Sequence, residues 1–112
     1  MATPEIEKLL TTLGLCARAR KLVFGTDQIC EAMRAGKKMP YLVIEACDTS
    51  ENTHKRLTDR CRFYGVEHVR IECDTLELAH AVGKLSAMSA VAITDEGLCR
   101  AVKTKLEKTN NN

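Results

Sequence analysis

The chain has 112 residues, of which 45% are hydrophobic and 4% are aromatic, and its formal net charge is +2 at pH 7. The apolar content excludes a largely disordered chain. The scarcity of aromatic rings argues against a protein that reads single-stranded nucleic acid by base stacking, and the small net charge does not by itself indicate a nucleic-acid partner.

The first predicted helix has a cap at Thr3 and Pro4 at its first position. Its apolar residues repeat at helical spacing and are Ile6, Leu9, Leu10 and Leu13. Gly14 weakens this pattern without ending it. A β-type run at Leu22–Phe24 follows and stops at Gly25, so the first strand is predicted to be short.

The second helix is predicted from about Thr26 to Ala35 and ends at Gly36. Its apolar side consists of Ile29, Cys30, Ala32 and Met33. The backbone N–H groups that open a helix lack partners and carry a partial positive charge, so they attract a phosphate or a base edge. A glycine turn directly before this helix therefore predicts a binding site rather than an active site.

Residues 39–47 contain a nearly continuous apolar run at 41–44 (YLVI), which is typical of a buried central strand. The candidate caps of a third helix come next and are Asp48, Thr49 and Ser50. The spaced apolar residues of this helix are Leu57, Cys61 and Tyr64, and Gly65 ends it. Another strand is predicted at 66–73, with Val69 and Ile71 on one face.

Asp74 and Glu77 form a capping-box pattern that opens a short fourth helix, which runs through Val82. A small-residue loop at 84–89 (KLSAMS) leads into a last buried strand at 90–93 (AVAI). Thr94 or Asp95 caps a final helix, whose apolar side consists of Leu98, Ala101, Val102 and Leu106. We expect the tail at 108–112 to be disordered.

The predicted elements alternate as α-β-α-β-α-β-α-β-α, which favours one α/β domain over residues 1–112 with helices on both faces of the sheet. The chain contains neither a signal-peptide pattern at its start nor an apolar run of the roughly 20 residues that span a bilayer. The six Cys residues form no C-x-x-C pair and share no zinc-type spacing with the three His residues. We therefore expect a cytoplasmic protein without a membrane association or a bound metal, whose thiols are mostly buried.

Four segments carry a resemblance to a known family. They are residues 13–25 (LGLCARARKLVFG), 46–53 (ACDTSENT), 76–84 (LELAHAVGK) and 91–97 (VAITDEG). In this order and spacing they resemble the ribosomal protein L7Ae/L30e family, and most of all its small bacterial YlxQ-like branch, over roughly residues 5–103. The resemblance implies a three-layer α/β/α sandwich with a mixed four-stranded sheet, and it implies binding to structured RNA such as kink-turns in rRNA or mRNA.

The resemblance also implies where RNA contacts lie. One group surrounds the start of the second helix and comprises Gly25, Thr26, Asp27, Gln28 and Glu31. Asp48, after the central strand, is a further implied contact, although an Asp at this place is more often a helix cap. The apolar loop contributes Leu85, Ser86, Ala87 and Met88, and the adjoining cations that we expect to meet phosphates are Arg20, Lys21, Lys37 and Lys38.

The chain departs from the family pattern within this group. Kink-turn binders of the family carry Gly-Thr-Asn-Glu and then a Lys three residues later, whereas here Asp27 and Gln28 are followed by Glu31. Glu31 cannot donate a hydrogen bond to a guanine carbonyl and places a negative charge near phosphates. We therefore expect weaker or altered RNA selectivity.

Three classes of function remain open from the sequence. The first is a monomeric, ribosome-associated or translation-related RNA-binding protein. The second is a protein-interaction module of the same fold, with translation factors among its candidate partners, because the acidic residues reduce the RNA surface. The third is an enzyme, which we do not expect, because no nucleophile–base pair, carboxylate pair, cofactor motif or metal cluster is evident.

Overall fold

The computed structural model describes residues 3–110, with side chains described as far as Lys108. The helices in this part of the chain are α1 (Pro4–Arg18), α2 (Thr26–Ala35), α3 (Glu51–Tyr64), α4 (Thr75–Ala81) and α5 (Glu96–Asn110). The strands are β1 (Leu22–Phe24), β2 (Leu42–Glu45), β3 (Glu67–Arg70) and β4 (Ala90–Ile93). The predicted alternation of helices and strands is confirmed.

The four strands form one mixed sheet in the order β1-β4-β2-β3. β2 is parallel to β3, and β4 is antiparallel to both of its neighbours. The ends of β1, β2 and β3 therefore meet the start of β4. We call this the upper end of the sheet, formed by Phe24, Glu45, Arg70 and Ala90; the lower end is formed by Leu22, Leu42, Glu67 and Ile93.

Helices cover both faces of the sheet, which confirms the three-layer α/β/α sandwich. Helices α1, α4 and α5 pack on the face that carries Leu42 and Ile44, around a core with Leu9, Leu13, Leu78 and Val102. Helices α2 and α3 pack on the face that carries Val43, around a second core with Ile29, Met33, Leu57 and Cys61. Alternate side chains of β2 enter different cores, as expected of a central strand covered on both faces.

Four helices have side-chain caps. Thr3, Ser50 and Asp95 accept hydrogen bonds from Ile6, Thr53 and Leu98 amides at 3.2, 3.1 and 2.9 Å. Asp74 and Glu77 form the predicted capping box at the start of α4. Helix α2 differs, because its cap residue is Gly25, which offers no side-chain hydrogen bond.

Gly14 lies inside α1 at the point where the end of α4 packs closely against this helix. A Cβ atom at this position would lie 2.8 Å from the carbonyl oxygen of Ala81, at the end of α4. The residue that weakens the helical pattern in the sequence is therefore the residue that permits this close approach.

The structure corrects several element boundaries. β2 comprises Leu42–Glu45 instead of 41–44, so that Tyr41 is 47% exposed and Glu45 is completely buried. β3 covers only Glu67–Arg70 of the predicted 66–73. Ala101 is exposed instead of facing the core. Helix α5 continues to Asn110, so the tail predicted at 108–112 overlaps its end, and residues 111–112 lie outside the described part.

The six thiols are free, and five of them are buried, as expected; Cys47 is exposed. Burial raises the pKa of the Cys61 thiol to about 11 and that of Cys73 to about 12. These thiols are therefore protonated at neutral pH and act as small apolar side chains.

Candidate RNA-binding surface

The turn at Gly25 fixes the start of α2 at the upper end of the sheet. Gly25 has φ 84° and ψ 152°, a region that residues with a Cβ atom rarely adopt. Its N–H donates to the carbonyl of Ala90 at 2.9 Å, and its carbonyl accepts from Ile29 at 3.0 Å. The chain thus leaves β1 and enters α2 in one residue, and the opening amides of the helix have no side-chain cap.

The loop before β4 lies against this turn. The hydroxyl groups of Thr26 and Ser89 are 2.7 Å apart, and the Ser89 carbonyl accepts the Ala46 N–H at 2.9 Å. Leu85 is 95% exposed at the tip of the loop. The structure therefore brings the predicted loop 85–88 and the predicted start of α2 to one surface.

A cation lies at the same place. The Lys84 ammonium group is 4.3 Å from the centre of the Phe24 ring, the last residue of β1. This cation–π contact holds a positive charge beside the Gly25 turn.

The two acidic residues on this part of α2 are paired with arginines. Arg56 of α3 donates to Asp27 Oδ1 at 2.5 Å, and Arg34 donates to both carboxylate oxygens of Glu31, at 2.8 and 2.5 Å. The hydrogen bond from Arg34 lowers the pKa of Glu31. The negative charge expected from Glu31 is therefore offset by its neighbour, and the Asp27 side chain remains 84% exposed.

An open groove of about 420 Å³ follows the start of α2. It is lined by Gly25, Thr26, Asp27, Gln28 and Ser89, with Phe24 at one side and Thr53 and Arg56 of α3 at the other. Gln28 is exposed in this groove. Hydrogen-bonding side chains and uncapped amides thus face the same accessible space.

Asp48, an exposed residue after β2, supports this surface through a helix cap. Its Oδ1 atom accepts the Thr75 N–H at 2.8 Å, so Asp48 caps the start of α4 together with Asp74. The Thr75 carbonyl in turn accepts the Met88 N–H at 2.9 Å. Asp48 therefore has the cap role that its residue type favours, and Thr75, which it caps, connects α4 to the apolar loop.

The four cations expected beside the start of α2 lie elsewhere. Arg20, Lys21, Lys37 and Lys38 line a groove of about 480 Å³ at the lower end of the sheet, with Tyr41 and Thr94. Lys21 precedes β1 and Lys37 follows α2, whose 10 residues extend about 15 Å from the uncapped amides. The prediction that these cations adjoin the Gly25 turn is wrong, because a strand and a helix separate the two sites.

The chain matches the model of the "Ribosomal protein L7Ae/L30e/S12e/Gadd45 family" over residues 7–103. The chain belongs to this family. It is 36% identical over 95 residues to the RNA-binding protein YlxQ of Bacillus subtilis (strain 168), which covers 85% of this chain and 91% of the relative. It is 29% identical over 101 residues to the RNA-binding protein YlxQ of Enterococcus faecium, covering 90% and 93%. The predicted YlxQ-like branch of the L7Ae family is thereby confirmed.

Solved structures agree with the fold. A protein of unknown function from Bacillus halodurans C is 31% identical, with a TM-score of 0.79 and coverage of 89% of this chain and 97% of the other. The 15.5kD RNA binding protein of Giardia lamblia is 21% identical, with a TM-score of 0.75 and coverage of 96% and 89%. The second likeness shows that the two chains share a fold.

Sequence reasoning on this L7Ae-family chain missed Thr53, Arg56 and Lys84 as parts of the surface. Arg56 is one of several cations in residues 55–62, a pattern that is typical of a solvated helix face. It lies 29 residues from Asp27, which it contacts. Only the packing of α3 beside α2 brings the two together. A sequence signal for Lys84 existed, because it is the first residue of the loop that we predicted at 84–89.

Glu45, His54 and His68 form the one group of metal-ligating residue types in residues 3–110 whose ligand atoms lie within 4.8 Å of one another. Desolvation by burial would raise the pKa of Glu45, but hydrogen bonds from Thr49, His54 and His68 outweigh it and hold the pKa below its ordinary value.

No helix in residues 3–110 is both long and apolar enough to cross a membrane.

Proposed function

We propose that this protein binds a structured, bent RNA of the kink-turn type at the upper end of the sheet, where α2 begins. The observation that carries the proposal is the open N-terminus of α2, which has a glycine cap, no side-chain hydrogen bond and an accessible groove in front of it. Uncapped helix amides attract phosphates. The names of the two YlxQ relatives, which are RNA-binding proteins, support this assignment.

Asp27 and Gln28 are proposed to read base edges. Arg56 engages Oδ1 of Asp27, which leaves Oδ2 to accept hydrogen bonds from the Watson–Crick edge of a guanine. Gln28 can both donate and accept. Arg56 thus orients the Asp27 carboxylate.

Leu85 is proposed to pack against a base that the bend turns outward. A leucine that is 95% exposed at a loop tip leaves almost its whole side chain in water, and a base face would cover it. Ser86, Ala87 and Met88 complete the loop, and Asp48 holds it through Thr75.

Arg20, Lys21, Lys37 and Lys38 are proposed to contact phosphates of an RNA arm beyond the bend. All four are exposed, and the groove that they line at the lower end has no acidic residue among its lining residues. Each phosphate that they neutralise makes the affinity more dependent on salt.

We further propose that the protein acts as a monomer in the cytoplasm, on an element of rRNA or mRNA, in the ribosome or with translation factors. Crosslinking in cells followed by sequencing of the attached RNA identifies the element. Sedimentation of the protein with ribosomal particles, lost after nuclease treatment, is the expected result for an RNA-mediated association.

The proposal is tested by titrating the protein into a kink-turn RNA and into a straight duplex of equal length, at several salt concentrations. We expect tighter binding to the bent RNA, weakened in the variants Gln28→Ala and Leu85→Ser. Arg100→Ala is the matched control, since this exposed cation lies on α5 beyond the other face of the sheet. Equal affinity for both RNAs, or no binding at low salt by the folded protein, contradicts the proposal and leaves the protein-interaction module as the better account.

A further inference from the structure

A buried carboxylate lies at the end of β2, under the first turns of α3. Glu45 has no exposed surface, and its Oε1 atom is 2.8 Å from both His54 Nδ1 and His68 Nε2. His54 comes from α3 and His68 from β3, which pairs with β2. Three elements thus bring one anionic oxygen and two imidazole nitrogens together, with both nitrogens at hydrogen-bond distance from the oxygen.

We propose that Glu45, His54 and His68 form a binding site for a divalent transition-metal ion, with Zn²⁺ as the ion that matches the ligand set. This site does not involve the RNA-binding groove, and the proposal does not depend on RNA binding.

The three ligand atoms are close enough to bind one metal ion after a modest rearrangement of the side chains. The three ligand atoms lie within 4.8 Å of one another. A tetrahedral Zn²⁺ ion with ligands at about 2.0–2.1 Å separates neighbouring ligand atoms by roughly 3.3 Å. The two Glu45–His distances of 2.8 Å therefore need to open by about 0.5 Å. The two imidazole nitrogens, which lie within 4.8 Å of each other, need to approach by up to about 1.5 Å.

The chemistry of the ligands selects among metals. Two imidazoles and one carboxylate are a ligand set that proteins use for Zn²⁺, with water at the fourth position. Hard cations such as Mg²⁺ prefer oxygen ligands, so they are disfavoured here. The His54 side chain is 41% exposed, which gives solvent access to the site for the ion and for a water ligand.

The surroundings hold the carboxylate in place. Thr49 donates to the second oxygen, Oε2, and the Arg70 guanidinium lies 3.6 Å from it. Arg70 also donates to the Ala46 carbonyl and to the Thr49 hydroxyl, at 3.3 and 3.1 Å. These contacts leave Oε1 for the metal; the positive charge of Arg70 reduces the affinity for a cation, although its position on the far oxygen limits the repulsion.

The test is a titration of the full chain with Zn²⁺ in a Cys47→Ser background, because Cys47 is the exposed thiol. Ring nitrogen signals of the histidines in ¹⁵N NMR spectra report the ligands directly. We expect the signals of His54 and His68 to shift with one equivalent of Zn²⁺, whereas His80, exposed on α4, serves as the internal control. Mg²⁺ is expected to move none of them.

Variants test the ligand set. His54→Gln and Glu45→Gln are expected to weaken Zn²⁺ binding by at least about 100-fold. Thr49→Val, which removes the hydroxyl that donates to the far oxygen of Glu45 and accepts from Arg70, is expected to weaken it by about 10-fold. His54 is partly exposed, so His54→Gln keeps the test valid if Glu45→Gln fails to fold. Absence of Zn²⁺ binding by the folded chain, or binding that shifts His80 equally or survives His54→Gln unchanged, overturns the proposal.

Discussion

The substitution Glu31→Lys tests the proposed RNA surface most directly. In the native chain, Glu31 is 55% exposed and holds the Arg34 guanidinium through two hydrogen bonds. The substitution removes one negative charge and adds one positive charge, and it also frees Arg34. Two cations then become available on α2, one at position 31 near its middle and Arg34 in its last turn, where the native chain offers a neutral pair.

The expected gain in RNA affinity follows from the number of added cations. One added contact to a base edge increases affinity on the order of 5- to 150-fold. If each of the two cations meets a phosphate, the slope of log affinity against log salt steepens by about 0.7–0.9 for each of them. We therefore expect Glu31→Lys to bind kink-turn RNA at least about fivefold more tightly, with a steeper salt dependence.

The assay is a binding titration of native chain and variant at several salt concentrations. Glu107→Lys is the matched control, because it makes the same charge change at an exposed position of α5, which packs on the other face of the sheet. An equal gain for both variants would mean that only the net charge matters. Unchanged affinity and salt slope for Glu31→Lys would refute the placement of RNA at α2.

Three further predictions concern the protein without RNA. Gly25→Ala should lower the free energy of unfolding in urea by about 1–3 kcal/mol, since its φ and ψ are almost restricted to glycine; an unchanged midpoint would contradict the strain argument. Gly14→Ala should also be destabilising, although alanine favours helices by about 1 kcal/mol, because the new Cβ would lie 2.8 Å from the Ala81 carbonyl. Gly97→Ala is its control and should not destabilise, because the new Cβ would lie 3.4 Å from the nearest atom, Asp95 Oδ2, which is an ordinary van der Waals contact. In thiol labelling of the native protein, Cys47 should react first, at a slowed rate because desolvation and neighbouring carboxylates raise its pKa, while the buried thiols react only on unfolding; rapid reaction of several thiols would contradict the packed cores.

The limits of most helices could be predicted because their signals are local. Thr3 and Asp74 cap helices wherever their backbone permits, and glycines such as Gly36 end them in the left-handed conformation. The extent of β2 could not be predicted in this way. Glu45 joins the strand, and Tyr41 leaves it, because pairing with β4 and β3 fixes the register, and an apolar run does not show where that pairing stops.

In the candidate site, too, local features could be predicted from the sequence, whereas contacts between elements could not. The Gly25 turn and the loop after Lys84 were evident because each is continuous in sequence. The Asp27–Arg56 pair was not, because its partners come from different helices. The misplaced Lys37 shows a different error: closeness in sequence to the α2 segment was read as closeness in space, although the length of a helix of 10 residues separates its two ends.

The Glu45 group illustrates why a metal site can escape detection in a sequence. Its members are separated by 9 and 14 residues and lie on β2, α3 and β3. Spacing rules recognise ligands on one helix or one turn. Here the parallel pairing of two strands and the packing of one helix supply the proximity, and neither is visible before the fold is known.

The separation between the uncapped start of α2 and the cations beyond its last turn sets the footprint of any bound RNA. A minimal oligonucleotide that contains only the bend can occupy the groove at Gly25, but it cannot also reach Lys37 and Lys38, about 15 Å further along the helix. Truncated and extended RNAs should therefore differ in affinity even when their bends are identical. For the proposed mode of binding, measurements with short model RNAs alone would underestimate the affinity for a longer RNA.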